Sequence, residues 1–302
     1  MLCTRVPKSD DNGKVQNQVQ GRNDLHGLKY RDNMHRIENY ITQKNNSGEK
    51  VLSVFLTSGF PDPDNFVELA LNILDAGADI LEIGFPFSDP IADGLIIQYS
   101  SKIALDNGIN LEQTFRYAKE IRKETEKPII LMGYANPALR YGLHKFSKQC
   151  IDSGIDGLII PDVPIEEFDV FYNSDFDFID KIQLVTPTTP PDRVLQIDQI
   201  SSGFIYCVSV SGTTGLPNEN RNIQFIKNSY SILKKNKMLI GFGISNEEDA
   251  KFYAPFCDGI IVGSAIIKLL TETNGNYNDV ISLVKKIKVC INPGLTKNEF
   301  DY

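Results

Sequence analysis

The sequence predicts an α/β protein folded as a single (βα)8 barrel of the TIM type, and three observations carry that reading. Eight short apolar runs recur between residues 51 and 262, helix-length amphipathic segments separate them, and glycine-containing turns follow the last three runs. Strand-helix alternation forces parallel pairing through right-handed crossovers, and eight such units close most naturally on themselves. An open doubly wound sheet is the alternative that alternation alone leaves standing.

Residues 1–33 are rich in Asn, Gln, Asp, Lys and Gly, lack apolar periodicity and read as a disordered N-terminal extension. Four aspartates and sparse serine fit poorly with a transit peptide. A helical pattern from Met34 through Tyr40 gives an extra N-terminal helix and opens the barrel domain, residues 34–292. The strand candidates are 51–57 (VLSVFLT), 80–84 (ILEIG), 128–133 (PIILMG), 156–160 (DGLII), 181–186 (KIQLVT), 204–209 (FIYCVS), 238–242 (MLIGF) and 258–262 (DGIIV). Helix-length segments lie at 64–76, 95–124, 137–153, 190–201, 218–235, 245–254 and 278–290, many with Asp, Asn or Ser near their starts as caps. The fourth unit is the weakest, because FYNSDFDFID at 171–180 leaves little room for a full helix. Residues 293–302 form a C-terminal tail.

Composition narrows the function classes. The 302 residues are 41% hydrophobic and 23% charged, and no apolar run approaches the ~18 residues that a membrane span requires. A net charge of -8 argues against a nucleic-acid surface, which needs a basic stripe to displace counterions. The odd set Cys3, Cys150, Cys207, Cys257 and Cys290 has no paired spacing and reads as free thiols in a reducing compartment, cytoplasm or plastid stroma. His26, His35 and His144 each stand apart from a second ligand candidate, so no metal site is expected.

The segment EIGFPFSDPIADG, residues 82–94, runs a strand carrying one carboxylate into a loop carrying Asp89 and Asp93. Period-two alternation sets Leu81 and Ile83 on one face and Ile80, Glu82 and Gly84 on the other, so Glu82 occupies a position where a hydrophobe is expected. An unpaired carboxylate buried there costs at least ~2 kcal/mol, which stability does not explain. In a barrel the chemistry sits at the C-terminal ends of the strands. Three glycine turns fall there too: 209–215 with Gly212 and Gly215, 241–245 with Gly243, and 262–265 with Gly263 and Ser264. Each alone is explained by turn shape or by a helix cap. Together they suggest a phosphate cradle, in which backbone N–H groups at the start of a short helix, Ser264 to Leu270, face an anion. Likewise, Asp93 alone reads equally as the cap of the helix beginning near Leu95, and Asp89 as a brace of its loop.

These residues resemble the tryptophan synthase alpha subunit family over about residues 34–292. The resemblance rests on FLTSGFP (55–61), DAGAD (75–79), the 82–94 block, MGYANP (132–137), GLIIPDVP (157–164), TPTTP (186–190), SGTTG (211–215), GFGIS (241–245) and GSAI (263–266). It implies a carbon–carbon lyase that cleaves indole-3-glycerol phosphate to indole and glyceraldehyde 3-phosphate in tryptophan biosynthesis. On that resemblance Glu82 is the acid/base at the indole C3, Asp93 the carboxylate at the ring N–H, and Tyr206, inward-facing beside Phe204 and Val208, an active-site tyrosine. Phe55, Met132, Tyr134, Ile159 and Ile160 match the indole pocket, and Gly215, Gly243, Gly263 and Ser264 the phosphate turns. The chain itself is expected to need no cofactor, with PLP held on a partner beta subunit that receives indole. Val210 departs from relatives that carry Arg in the loop 209–221, which is expected to close over substrate. A non-catalytic regulatory subunit, a stand-alone indole-releasing lyase and another phosphosugar enzyme are the competing readings. Intact Glu82 and Asp93 weigh against the first, and the absence of a His or Lys base at a strand end against the last.

Overall fold

Eight apolar runs become eight strands that pair in chain order: β1 (Val51–Thr57), β2 (Ile80–Gly84), β3 (Ile129–Met132), β4 (Gly157–Ile159), β5 (Asp180–Val185), β6 (Ile205–Val208), β7 (Met238–Gly241) and β8 (Gly259–Val262). All neighbours are parallel, and β8 returns to β1 to close the barrel. The computed structural model describes residues 35–209, 222–241, 243–272 and 276–294. The open-sheet alternative is thereby excluded.

Every residue of β1 and β2 is buried, as in a sheet covered on both faces. Alternation divides the side chains into two cores. Val51, Ile80, Ile130, Ile159, Ile182, Phe204, Tyr206, Val208, Leu239 and Ile261 fill the barrel interior. Leu52, Val54, Leu81, Ile83, Leu131, Leu158 and Ile160 instead belong to the layer shared with the helices. The helices answer with matching stripes. In α2 (Phe66–Asp75) the buried residues are Phe66, Leu69, Ala70, Ile73 and Leu74, spaced at i, i+3, i+4, i+7 and i+8, which is one apolar face at 3.6 residues per turn. Each such Leu or Ile stabilises by about 2 kcal/mol relative to exposure.

The N-terminal helix α1 (Arg36–Asn46) closes the bottom of the barrel. Its two buried residues, Ile37 and Ile41, join the interior core. A β-carbon on Gly157 would lie 2.6 Å from the Ile37 Cδ1, so β4 begins with the residue that lets α1 approach.

Aspartates stitch that same end together. Asp79, Asp156 and Asp258 each precede a strand and accept the N–H near the start of the preceding one, from Leu52 at 2.8 Å, Ile129 at 2.8 Å and Met238 at 2.9 Å. Their buried charge is matched: Lys288 lies 2.6 Å from Asp79, and Arg122 and Arg36 lie 2.6 and 3.4 Å from Asp156. Carboxylates at this end therefore serve the fold.

The crossovers differ from expectation in two places, and the fourth is as short as its sequence predicts. The span 95–124 is two helices, α3 (Leu95–Asp106) and α4 (Leu111–Glu124), parted where Gly108 takes φ 80°; Asn110 caps α4 by accepting the Gln113 N–H. The span 137–153 begins earlier and is also two, α5 (Ala135–Tyr141) and α6 (Leu143–Asp152), broken at Gly142 with φ 89°. The fourth crossover is reduced to a four-residue α7 (Phe168–Phe171) between two 3-10 turns. There Phe168, Phe171, Tyr172 and Phe176 pack with centroids 4.9–6.0 Å apart, and their large rings cover the surface that a longer helix would have shielded. The remaining helices are α8 (Pro191–Ile200), α9 (Ile223–Ile232), α10 (Glu247–Tyr253), α11 (Ser264–Glu272) and α12 (Asn278–Ile291).

Among the described residues no helix is long and apolar enough to cross a membrane, and no His/Cys/Asp/Glu group could hold a metal. Cys150, Cys207, Cys257 and Cys290 are free.

Candidate active site

The C-terminal ends of the strands frame a cavity of about 700 Å³. Glu82 is at its floor, placed there by its inward register on β2 opposite Phe55 of β1. The side chain has 0% exposure, so neighbouring wall side chains seal it from bulk water. Ser53 Oγ donates to Glu82 Oε1 at 2.7 Å, and Oε2 has no hydrogen-bond partner among the described residues. Burial pushes the Glu82 pKa up to about 7, with the Ser53 bond pulling the other way. No basic side chain contributes to that balance. A carboxyl that is nearly half protonated at neutral pH can both give and take a proton.

Asp93 lies on the loop between β2 and α3 and lines the same cavity. It does not cap α3, whose N-cap is Gly94. Tyr134 holds it: the phenol donates to the Asp93 carboxylate and accepts the Ala92 N–H at 3.0 Å. The loop is less watery than its sequence implies. Burial raises the Asp93 pKa to about 6, the Tyr134 bond opposing, which still leaves it roughly tenfold ionised at pH 7. Asp89 stays outside the cavity, exposed and bonded to Ser88 Oγ at 2.6 Å, as a loop brace would be.

Tyr206 enters from β6, 5% exposed, and burial first, then the Glu82 and Asp93 carboxylates, hold its phenol well above the usual tyrosine range. Its hydroxyl occupies the space where a β-carbon of residue 241 would stand, so Gly241 on β7 is what admits the ring. Phe55 and Met132 complete the apolar wall, and Tyr134 lines a small annex shared with them and Asp93.

Ile159 and Ile160 do not line the cavity. Ile159 belongs to the barrel interior and Ile160 to the layer under the helices, because adjacent strand positions face opposite sides.

At the other end of the cavity lie Gly243, Gly263, Ser264, Ala265 and Lys268. Two helices start there. The α10 end is satisfied internally: Asn246 Oδ1 accepts the Asp249 N–H, and Asp249 accepts the Ser245 N–H in return. The α11 start, Ser264 and Ala265, faces the cavity with its first-turn donors, which no helix satisfies internally. Gly215, and the loop from Val210 to Arg221, lie outside the described residues.

Sequence reasoning missed Ser53, Ile261, Ile244 and Lys268. Ser53 carried the same signal as Glu82, a polar residue at an inward strand position. Lys268 gave none, since a lysine on an amphipathic helix ordinarily marks its solvated side.

A family model described as "Tryptophan synthase alpha chain" matches residues 41–292. The tryptophan synthase alpha chain of Flavobacterium psychrophilum is 42% identical over 238 residues, covering 78% of this chain and 94% of that one. The alpha chain of Christiangramia forsetii is 42% identical over 255 residues, covering 83% and 98%. Among solved structures, the tryptophan synthase subunit alpha of Legionella pneumophila superposes with a TM-score of 0.77 at 32% identity, covering 86% of this chain and 99% of that one. The aminoacrylate-bound tryptophan synthase of M. tuberculosis gives 0.76 at 26% identity, covering 85% and 99%.

Proposed function

The chain belongs to the tryptophan synthase alpha chain family, and on that premise we propose that Glu82, Asp93 and Tyr206 are the groups with which it performs the family's carbon–carbon lyase reaction. That reaction is the retro-aldol cleavage of indole-3-glycerol phosphate to indole and glyceraldehyde 3-phosphate, a step of tryptophan biosynthesis.

The residue chemistry fits each step. Indole cannot leave as a carbanion at neutral pH, so its C3 must first take a proton. Neutral Glu82 donates that proton, and the positive charge that develops on the ring nitrogen is stabilised by ionised Asp93, which accepts the N–H. Glu82, now a carboxylate, takes the proton of the glycerol hydroxyl next to the ring. The C–C bond breaks, its electron pair restores the aromatic ring, and the hydroxyl carbon becomes the aldehyde. Glu82 ends each cycle protonated as it began. Two carboxyls held at different pKa values suit this division of labour.

Phe55, Met132 and Tyr134 supply the apolar surface for the indole ring, and the turn at Gly243 with Gly263, Ser264 and the α11 start supplies donors for the phosphate. Gly215 belongs to the same proposal through its sequence motif. The observation that carries the reading is a fully buried carboxyl, lacking any basic partner and titrating near neutrality, at the floor of a cavity that also holds Asp93. Incubating the purified chain with indole-3-glycerol phosphate and measuring indole tests it. Wild type releases indole, and Glu82→Gln binds the substrate without cleaving it; comparable turnover by the two proteins would overturn the assignment.

We propose further that the chain assembles with a beta subunit that carries PLP and consumes the indole. Exposed Ile91 and Leu95, flanking the cavity residues Asp93, Gly94 and Ile96, support a docked partner. The four described free thiols fit a reducing compartment, cytoplasm or plastid stroma.

A further inference from the structure

We infer that Ser53 is a positioning residue for Glu82: its hydroxyl fixes one carboxyl oxygen so that the transferable proton resides on the other.

The inference rests on the acid/base role proposed for Glu82, and its support is geometric. Ser53 and Glu82 both have 0% exposure, and they project into the barrel from adjacent strands, β1 and β2. The Ser53 hydroxyl donates to Oε1 at 2.7 Å. A carboxyl oxygen that accepts this bond is the poorer place for an acid proton, so the neutral acid carries its proton on Oε2. That is the oxygen without a hydrogen-bond partner among the described residues, and hence the one a ligand can engage. A buried polar atom left unpaired is costly, so an orphaned Oε2 beside a cavity marks a contact completed by substrate.

A serine is also an odd choice for this position on stability grounds. Its register neighbours, Ile80 of β2 and Ile261 of β8, are apolar, and an alanine or valine would pack between them without a hydroxyl to satisfy. The hydroxyl has a consequence for titration as well. A hydrogen bond to a carboxylate is about twice as strong as one to a neutral acid, so Ser53 favours the ionised form and opposes the effect of burial. Without it Glu82 would stay protonated to higher pH and, as a weaker acid, would give its proton to the indole C3 more slowly in the first half of the reaction. Among the described residues the other titratable groups facing the cavity are Asp93 on the β2–α3 loop, Tyr206 on β6, Asp249 on α10, and Lys268 and Glu272 on α11. Ser53 gives its hydroxyl hydrogen bond to Glu82, so a change at residue 53 reads out there.

The test measures indole release by wild type, Ser53→Ala, Ser53→Thr and Glu82→Gln across pH 5.5–9, with folding of each checked by circular dichroism. In Ser53→Ala, kcat is expected to fall by about tenfold with KM changed less than threefold, and the descending limb of the kcat profile, where Glu82 loses its proton, to move up by about one pH unit. Ser53→Thr, which keeps the hydroxyl, restores the wild-type midpoint. A Ser53→Ala profile that superposes on wild type, while Glu82→Gln is inactive, overturns the role of Ser53 and leaves Glu82 intact as the acid. Turnover retained in Glu82→Gln overturns the underlying reading instead. Loss of activity in Ser53→Ala and Ser53→Thr alike, with unmoved midpoints in both, would mark Ser53 as packing only.

Discussion

Replacing Glu82 with Gln should abolish the reaction and at the same time make the fold more stable at alkaline pH, because the same burial is responsible for both. The carboxyl titrates near 7 in the folded chain against 4.5 for an unperturbed glutamate. Below pH 4.5 both folded and unfolded chains hold the proton, and Glu82 adds no pH dependence. Between 4.5 and 7 the unfolded chain releases the proton while the folded chain keeps it, so stability falls as pH rises. Above 7 the loss is complete, and a difference of about 2.5 pH units corresponds to about 3 kcal/mol. Gln is nearly the same shape and does not titrate. Its amide leaves a buried donor unpaired, a pH-independent cost of about 1–3 kcal/mol that shifts the whole comparison without changing its slope. Urea unfolding of both proteins, followed by circular dichroism from pH 4.5 to 8.5, isolates the effect, since every other group cancels in the difference. The variant should gain about 3 kcal/mol relative to wild type across that range, while indole release falls by at least about a hundredfold. A stability difference that is flat with pH would refute the claim that burial keeps Glu82 protonated near neutrality.

Asp93→Asn removes the charge facing the ring nitrogen and should lower kcat by about 10²–10³ with a smaller change in KM; steady-state indole release within threefold of wild type would refute the role. Ser264→Asp sets a negative charge at the start of α11 and should raise KM on the order of tenfold while kcat stays within about twofold; an unchanged KM would remove the phosphate from that helix. Lys288→Met strands the buried Asp79 carboxylate at the barrel bottom and should cost about 3–5 kcal/mol in urea unfolding, with the folded fraction keeping wild-type turnover; a loss under 1 kcal/mol would show the pair to be dispensable.

The barrel was legible in the sequence because its signals are local. Most of the apolar runs are bounded by Gly, Asp or Pro, and the strands at 51–57 and 80–84 match the observed β1 and β2 residue for residue. The helix breaks at Gly108 and Gly142 were less visible, since a glycine inside an amphipathic pattern reads equally as an interruption or a tolerated weakness. At the site, Glu82 announced itself as a charge at an inward position, and the same rule applied to β1 would have found Ser53. Asp93 was found, but its partner Tyr134 and its raised pKa depend on how the loop folds back over β3, which no spacing encodes. Assigning both Ile159 and Ile160 to the pocket conflicted with alternation, which puts neighbouring strand residues back to back. The two uses of aspartate also separate by position: those just before a strand secure the lower rim, and the one beyond a strand meets the cavity.

The stopper formed by Ile37 and Ile41 has a bearing on traffic. With one mouth of the cylinder plugged by α1, substrate arrives and both fragments depart across the opposite rim. The departing pieces are unlike: a charged triose ester at home in water, and a flat bicycle that is not. A neighbour seated on the rim would therefore stand in the path of the second as it leaves, and capture would require no passage bored through this barrel.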